Sequence, residues 1–310
     1  MSPTRSSSTL PSHHAARDAL MGPWLCGLAM VLVGSTVVVS RLIGDAIEPF
    51  LATALRHAAA LPVFLLMMFA RREAWPRVGW RDGALLLVQA AAGSVGYTVL
   101  LIEGVQRCGP ADAGIVAGTL PAVSALVCAG WLGERPGWRL WAAIALATVG
   151  VLAVAASPAA GEAAPLRWLG IALVLAAIGC ESLFILANKR LSMPISPLAL
   201  STLMSAGGLL LCLVPAAWAW GSSPTVWTAD AVSAVLYYAW VPTVGGFLLW
   251  YAGSARTTGT RASLATAWLP VSALMLSALW FGEPIRAVQW MGLGCVLAAV
   301  VLAALDSHAA

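Results

Sequence analysis

Charged residues are scarce in this sequence of 310 residues: they make up 10% of it, and lysine occurs once. Soluble domains carry about 25% charged residues and roughly 45–50% apolar ones, whereas 60% of this chain is hydrophobic and its mean hydropathy is +0.87. A single anchor would add only about 20 apolar residues, but here the apolar excess extends along the whole chain. The composition therefore excludes a soluble globular protein and predicts an all-α polytopic membrane protein.

The sequence also has few residues suited to metal, redox or nucleic-acid chemistry. Its four histidines and six cysteines are dispersed, with no CxxC or Cys/His spacing, so we expect no metal site, no cofactor and no disulfide framework. The net charge of +4 comes from short basic clusters at the ends of apolar runs, which is typical of topology signals and not of a nucleic-acid surface. No group of histidines and acids gathers at one interface, so the sequence does not indicate an enzyme.

Ten apolar runs are long enough to cross a membrane as helices. Their predicted limits are 24–43, 50–70, 83–102, 110–131, 138–156, 167–188, 197–217, 230–252, 259–280 and 287–305. The loops between them are short, so no water-soluble domain is expected. Residues 1–22 are polar and rich in Ser and His, which predicts a disordered cytoplasmic tail before an uncleaved first span.

The basic residues indicate an orientation. With the N-terminus inside, twelve Lys and Arg residues fall on the cytoplasmic side and three on the other side. The positive-inside rule therefore places both termini in the cytoplasm. The near-absence of lysine and the heavy use of Arg, Ala and Trp are typical of a GC-rich bacterial genome, so we expect the bacterial inner membrane.

The two halves of the chain resemble each other. At an offset of 149 residues, 96–150 aligns with 245–299 without a gap, and the Leu-Pro and Gly-Glu pairs coincide; at nearly the same offset Pro49 falls on Pro197. This predicts two repeats of five helices, 23–157 and 166–306, joined by a linker at 158–165. An odd number of helices per repeat requires opposite orientations, and the second repeat accordingly lacks the arginines that follow span 2 in the first. Inverted repeats of this kind are typical of secondary transporters.

Several motifs resemble those of the EamA family of the drug/metabolite transporter superfamily. They are "GSTVVVSRL" at 34–42, "ATALRHAAALP" around Arg56, "LP" followed by "WLGERP" at 131–136, "CESLFILANKR" at 180–190 and "WFGEP" at 280–284. One departure is Arg135, which separates Glu134 from Pro136, whereas the second repeat has Glu283 and Pro284 adjacent. The resemblance covers 24–305 and implies gradient-coupled export of small metabolites, with substrates that differ widely among members.

Two prolines and one carboxylate are the first candidates for a transport site. Pro121 and Pro270 occupy equivalent positions within spans 4 and 9, where each removes a backbone donor; matching helix breaks point to a central cavity or, alternatively, to packing kinks. Glu181 lies about 14 residues into span 6, at a depth where an ionised carboxylate costs about 2.5–3.5 kcal/mol. It is a candidate for proton coupling or cation binding, and a permanent hydrogen-bonded pair is the alternative.

A basic pair and several aromatic residues complete the candidate set. Arg56 and His57 in span 2 suit a substrate carboxylate, with outward snorkelling or packing as the alternative for Arg56. At 1.5 Å per residue the depths of Arg56 and Glu181 differ by about 12 Å, so no direct ion pair is expected between them. The aromatic candidates for an apolar, cation-attracting wall, each with helix packing as its alternative, are Phe184, Tyr237, Tyr238, Trp240 and Trp268.

These observations favour a secondary transporter that exports small organic metabolites such as amino acids by alternating access, coupled to protons. The alternative is an amphipathic cation or drug efflux carrier; a channel and a non-transport membrane protein are less favoured. The expected partners are a small-molecule substrate, the lipid bilayer and protons, with no nucleic acid. The sequence leaves the substrate and the oligomeric state open.

Overall fold

The computed structural model describes residues 13–132, 137–156, 164–222, 225–257, 262 and 264–306. These residues form helices joined by short turns, and no strand occurs among them. The first repeat contains α1 (His13–Gly44), α2 (Pro49–Ala70), α3 (Trp80–Gln89), α4 (Tyr97–Cys108), α5 (Pro110–Ala117), α6 (Leu120–Leu132) and α7 (Trp138–Ala156). The second contains α8 (Ala164–Lys189), α9 (Pro197–Ser222), α10 (Ala229–Tyr238), α11 (Phe247–Ser254), α12 (Trp268–Phe281) and α13 (Ala287–Asp306).

Eight helices in the described part of the chain are long and apolar enough to cross a membrane. They are Met21–Gly44, Pro49–Ala70, Trp80–Cys108, Trp138–Ala156, Pro165–Asn188, Pro197–Ser222, Ala229–Ser254 and Ala287–Leu305. The prediction of an all-helical, multi-pass membrane protein is confirmed, but the count of ten spans is not. The two remaining predicted spans, 110–131 and 259–280, contain interrupted or shorter helices.

The first helix starts earlier than the sequence predicted. α1 begins at His13, so residues 13–22, which were assigned to a disordered tail, are helical. The stretch is rich in alanine and joins the apolar run directly, so the helix extends into it without a new nucleation step. Residues 1–12, the Gly-Glu-Arg-Pro sequence at 133–136, and residues 157–163, which include most of the predicted linker at 158–165, lie outside the described residues.

Two π-helical segments interrupt the long helices at equivalent places. The first, Ala90–Gly96, joins α3 to α4, and the second, Ala239–Gly246, joins α10 to α11. The offset of 149 residues superimposes their starts. Single π turns inside α-helices are frequent at functional sites because they redirect side chains and shift backbone carbonyls out of the regular ladder.

The spans that carry Pro121 and Pro270 are broken just before these prolines. Turns at 118–119 and 266–267 separate the helical pieces, and each proline lies in the first turn of the helix that follows. Pro121 has no amide hydrogen to donate to the carbonyl of Ala117, four residues earlier, so the regular ladder cannot continue through it. Before the proline the chain forms a tighter turn, in which the amide of Thr119 donates to the carbonyl of Val116, three residues earlier.

Glycines form equivalent close contacts between helices of the two repeats. A methyl group added at Gly170 of α8 would lie 2.8 Å from the carbonyl oxygen of Gly104, and one added at Gly253 of α11 would lie 2.9 Å from that of Gly22. Small residues allow such approach in membranes, where the hydrophobic effect does not drive helices together. The equivalent helices α2 and α9 also pack against each other. Both repeats therefore contribute to one central core.

Candidate functional site

A cavity of about 70 Å³ lies where the two repeats meet. Five equivalent pairs of residues line it, three at an offset of 148 and two at 149: Met30 and Ile178, Val33 and Glu181, Thr36 and Phe184, Gly93 and Pro242, and Leu120 and Leu269. The cavity wall is therefore built from the same positions of both repeats. This is where a midplane site is expected in a repeat transporter.

The charged groups break this correspondence. Arg56 on α2 lines the cavity, and its equivalent at an offset of 148 is Met204; Glu181 on α8 has Val33 as its equivalent. The cavity therefore has one cationic and one carboxylate side chain at positions where the other repeat has an apolar residue. Within the described part of the chain, no ion pair joins Arg56 to Glu181.

Arg56 is buried, with 7% of its surface exposed, and it does not snorkel. Its Nη2 donates to the carbonyl oxygen of Ser94 at 2.8 Å, and its Nη1 lies 3.5 Å from the hydroxyl of Thr243. Its guanidinium carbon lies 4.6 Å from the centre of the Tyr238 ring. Both π segments therefore hold this side chain, one through a carbonyl and the other through a hydroxyl, with a cation–π contact in addition.

His57 supports Arg56 from behind and does not line the cavity. The side chain is fully buried, and its Nε2 lies 2.8 Å from Arg56 Nη2. If Nε2 accepts this hydrogen bond, the ring proton belongs on Nδ1, which has no partner among the described residues. Gly208 of α9 makes room for the ring, because a methyl group there would lie 2.6 Å from Nε2.

Aromatic rings form the apolar part of the wall. Phe184 and Phe247 stack with ring centres 6.3 Å apart, and Tyr97 and Tyr238 also line the cavity. Phe184 packs against Gly93 of the first π segment, where an added methyl group would lie 2.5 Å from the ring. The site thus combines a cation, a carboxylate and an aromatic surface in one small space.

Three of the predicted aromatic candidates lie elsewhere. Tyr237 donates to Ser35 at 2.9 Å, away from the lining. Trp240 is 50% exposed and donates to the carbonyl of Ala59, and Trp268 is 49% exposed. Helical periodicity explains this outcome, because neighbouring residues of one helix point in different directions. The structure places Arg56, Glu181, Phe184 and Tyr238 together, with His57 behind, and the two helix breaks beside Leu120 and Leu269 of the wall.

A second polar cluster was missed in the sequence. The carboxylate of Asp112, which is 3% exposed, accepts hydrogen bonds from Arg167 at 2.6 and 3.0 Å, from Gln289 at 2.8 Å and from Arg286 at 3.2 Å. These four residues are called the Asp112 cluster below. Arg167 and Arg286 were counted only as charges on the non-cytoplasmic side, and Asp112 lies near the start of the fourth span, so sequence position did not show that they meet. The signal available in the sequence was the position of Asp112, two residues after Pro110, because acidic residues are favoured in the first turn of a helix.

The Asp112 cluster borders a larger pocket of about 520 Å³. The pocket lies between the C-terminal end of α1, the start of α5 and the second half of α12. The same three spans line the central cavity deeper in the bundle, at Thr36, Leu120 and Leu269. The pocket and the cavity are thus lined by different parts of the same three spans.

Comparison with known proteins decides the family. The model of the EamA-like transporter family matches residues 20–156 and 168–305, once for each repeat. The chain belongs to the EamA-like transporter family. The expected resemblance is confirmed, and this EamA-like protein is a multi-pass membrane transporter.

Two curated relatives and one solved structure agree with this assignment. "Uncharacterized transporter YetK" of Bacillus subtilis (strain 168) is 35% identical over 274 residues, which is 88% of this chain and 83% of the relative. A "Probable terminal-alkyne amino-acid exporter" of Streptantibioticus cattleyicolor is 27% identical over 225 residues, 72% of this chain and 73% of the relative. A crystal structure that is 21% identical superimposes with a TM-score of 0.66 over 95% of this chain and 98% of the other, which supports the fold.

Proposed function

We propose that this EamA-like protein exports small zwitterionic metabolites such as amino acids by alternating access, with the central cavity as the substrate site. The observation that carries the proposal is the pair Arg56 and Glu181, which line one cavity but form no ion pair with each other in the described part of the chain. Arg56 is held by neutral groups, and an ionisable side chain inside a membrane that has no ion-pair partner is typical of a site that a ligand completes. The proposed role is transport, with no enzymatic step.

The proposed topology has ten spans in two inverted repeats of five, 23–157 and 166–306, with both termini in the cytoplasm of a bacterium and the chain in its inner membrane. The matching π segments and the matching helix breaks support the two repeats. The distribution of arginine supports the orientation. In this arrangement the pocket beside the Asp112 cluster lies at the outer face.

The chemistry of the cavity suits a zwitterion with an apolar side chain. The guanidinium of Arg56 suits a carboxylate, because charge-assisted hydrogen bonds to two oxygens are the strong ones. Glu181 is complementary to an ammonium group, and Phe184 and Phe247 offer an apolar surface to the rest of the solute. The name of the Streptantibioticus cattleyicolor relative, a probable amino-acid exporter, supports the same substrate class.

Glu181 is also the proposed coupling group. An ionised carboxylate deep in a membrane is unfavourable by about 2.5–3.5 kcal/mol, and a bound ammonium group or a bound proton relieves this cost. If Glu181 in the cavity binds either the substrate ammonium group or a proton, the carrier exchanges substrate for protons. Because the proton and the solute bind Glu181 in turn, the inward movement of protons down their gradient would drive export of the solute.

The test is solute flux in proteoliposomes with and without an imposed pH gradient, using a panel of neutral and aromatic amino acids and amphipathic cations. We expect saturable, gradient-driven flux of amino acids. Arg56→Gln should raise KM for them by about 10–100-fold, since a hydrogen bond to a charged group contributes about 1.5–3 kcal/mol. Glu181→Gln should abolish the response to the pH gradient.

Glu103→Gln is the matched control for the carboxylate. Glu103 pairs with Arg107 on α4, outside the cavity, so its substitution should leave flux and the gradient response unchanged. Flux of cations that depends on Glu181 and not on Arg56 would contradict the amino-acid assignment and favour the cation efflux alternative. Non-saturable flux without counterflow would contradict a carrier.

A further inference from the structure

Arg56 contacts equivalent residues of the two repeats, Ser94 and Thr243, through different atoms. Ser94 and Thr243 are related by the offset of 149 residues, and each lies inside its own π segment. Arg56 donates to the carbonyl of Ser94 at 2.8 Å and lies 3.5 Å from the hydroxyl of Thr243. The two contacts are therefore unequal: the first is a good hydrogen bond, and the second is at the limit of one.

The hydroxyl of Thr243 has a fixed orientation. It donates to the carbonyl of Tyr238, five residues earlier, at 2.8 Å, which is the spacing of a π turn. Its lone pairs are thus left to accept a hydrogen bond from Arg56. The π segment of the second repeat presents an acceptor to Arg56 in the same way that the first presents the Ser94 carbonyl.

The packing of α9 against the first π segment accompanies this inequality. A methyl group added at Gly208 of α9 would lie 2.9 Å from Cβ of Ser94, so α9 presses closely on the first π segment. The equivalent of Gly208 is Ala60 on α2, the helix that carries Arg56. In an inverted-repeat carrier the two repeats exchange their conformations when access changes sides. The exchanged conformation would bring α2 toward the second π segment, and with it Arg56 toward Thr243.

We propose that Thr243 is a positioning residue for transport, and that Arg56 moves its main hydrogen bond from the carbonyl of Ser94 to the hydroxyl of Thr243 when access changes sides. This inference rests on the proposed alternating-access function. Arg56 then keeps one strong contact with a π segment in each conformation, so its charge never lacks a partner during the cycle. Loss of the Thr243 hydroxyl removes the contact in one conformation only.

Two substitutions at Thr243 test this inference. Thr243→Val removes the hydroxyl at nearly constant volume, and Thr243→Ser retains it. Thr243→Val should lower the maximal rate of amino-acid counterflow at least about fivefold while KM stays within about twofold, because the conformation with Arg56 on Ser94 remains intact. Thr243→Ser should restore most of the rate. Thr148→Val is the matched control, since its hydroxyl bonds Ile144 on an exposed face of α7.

A labelling measurement separates this inference from the proposed function. Cys108 lines the large pocket and is 3% exposed in the conformation described here. With the other cysteines replaced by alanine, Thr243→Val should lower the rate of Cys108 labelling by a membrane-impermeant maleimide at least about threefold, and Thr243→Ser should not. Equal rates in Thr243→Val and the parent would overturn the inference even if transport is confirmed. A lowered rate without flux of any tested solute would support the inference and contradict the proposed substrate class.

Discussion

At the scale of single residues, the size of the central cavity depends on Gly93. This glycine lies opposite Phe184, whose ring occupies the space that any larger side chain at 93 would need. Protein interiors are close-packed, so an added methyl group displaces its neighbour and costs about 1–3 kcal/mol. Because Phe184 lines the cavity, the displaced ring changes the volume left for the substrate.

We therefore expect Gly93→Ala to raise KM for solutes with large side chains by about 10-fold, which corresponds to about 1.4 kcal/mol, with a smaller effect on glycine or alanine. Phe184→Leu in the same chain should reverse most of the change, because it vacates the volume that the methyl group takes. Gly179→Ala is the matched control, since nothing lies within 4 Å of the added methyl group there. Equal effects on large and small solutes would contradict a role in size selection.

At the scale of helices, the two breaks before Pro121 and Pro270 divide spans 4 and 9 into pieces that can tilt separately. Each break lies next to a leucine of the cavity wall, Leu120 or Leu269. A tilt of either piece would therefore change the shape of the cavity. Restoring the missing backbone donor would join the pieces into a stiffer helix.

Pro121→Ala and Pro270→Ala should each raise the thermal unfolding temperature by a few degrees and lower the rate of counterflow at least about fivefold, because a stiffer span resists the change of conformation. Pro215→Ala, inside α9, controls for removal of a membrane proline without an equivalent in the first repeat. Thermal unfolding in detergent and initial rates in proteoliposomes measure the two effects. Wild-type rates in both variants would show that the breaks serve packing only.

The helical elements could be predicted from the sequence, whereas the contacts between them could not. Long apolar runs mark the spans because every backbone polar group in lipid must be satisfied within a helix. The prolines marked the breaks because proline lacks a donor. The π segments were not predicted, although glycines lie inside Ala90–Gly96 and Pro242 lies inside Ala239–Gly246, because neither residue type distinguishes a π turn from a kink or a helix break.

The candidate site was predicted in part for the same reason. Arg56 and Glu181 stand out as charges within apolar runs, but depth along each helix did not place them in one cavity, since helix tilt and π turns alter depth. Trp240 and Trp268 are at suitable depths but lie on other faces of their helices. Asp112 was overlooked because it lies near a span end, where acids are common.

At the scale of the whole molecule, the Asp112 cluster joins the two repeats at one face of the bundle. Asp112 belongs to α5 of the first repeat, and Arg167, Arg286 and Gln289 belong to the second. Arg167 also donates to the carbonyl of Val154 near the end of α7 at 2.6 Å. Removal of one partner from a buried ion pair costs about 3–5 kcal/mol because the other charge is left without compensation. The cluster thus holds the ends of several helices together in this conformation.

Access to the large pocket should increase when the cluster is weakened. In a chain whose only cysteine is Cys108, Asp112→Asn should raise labelling by a membrane-impermeant maleimide about tenfold, because Arg167 loses the carboxylate that holds it. Gln289→Met removes one donor at 2.8 Å and keeps the ion pair, so it should raise labelling less, by about threefold. Asp45→Asn is the control, since Asp45 lines the same pocket and pairs with Arg41 at its surface. Unchanged labelling in both cluster variants would mean that these residues brace the fold and take no part in opening it.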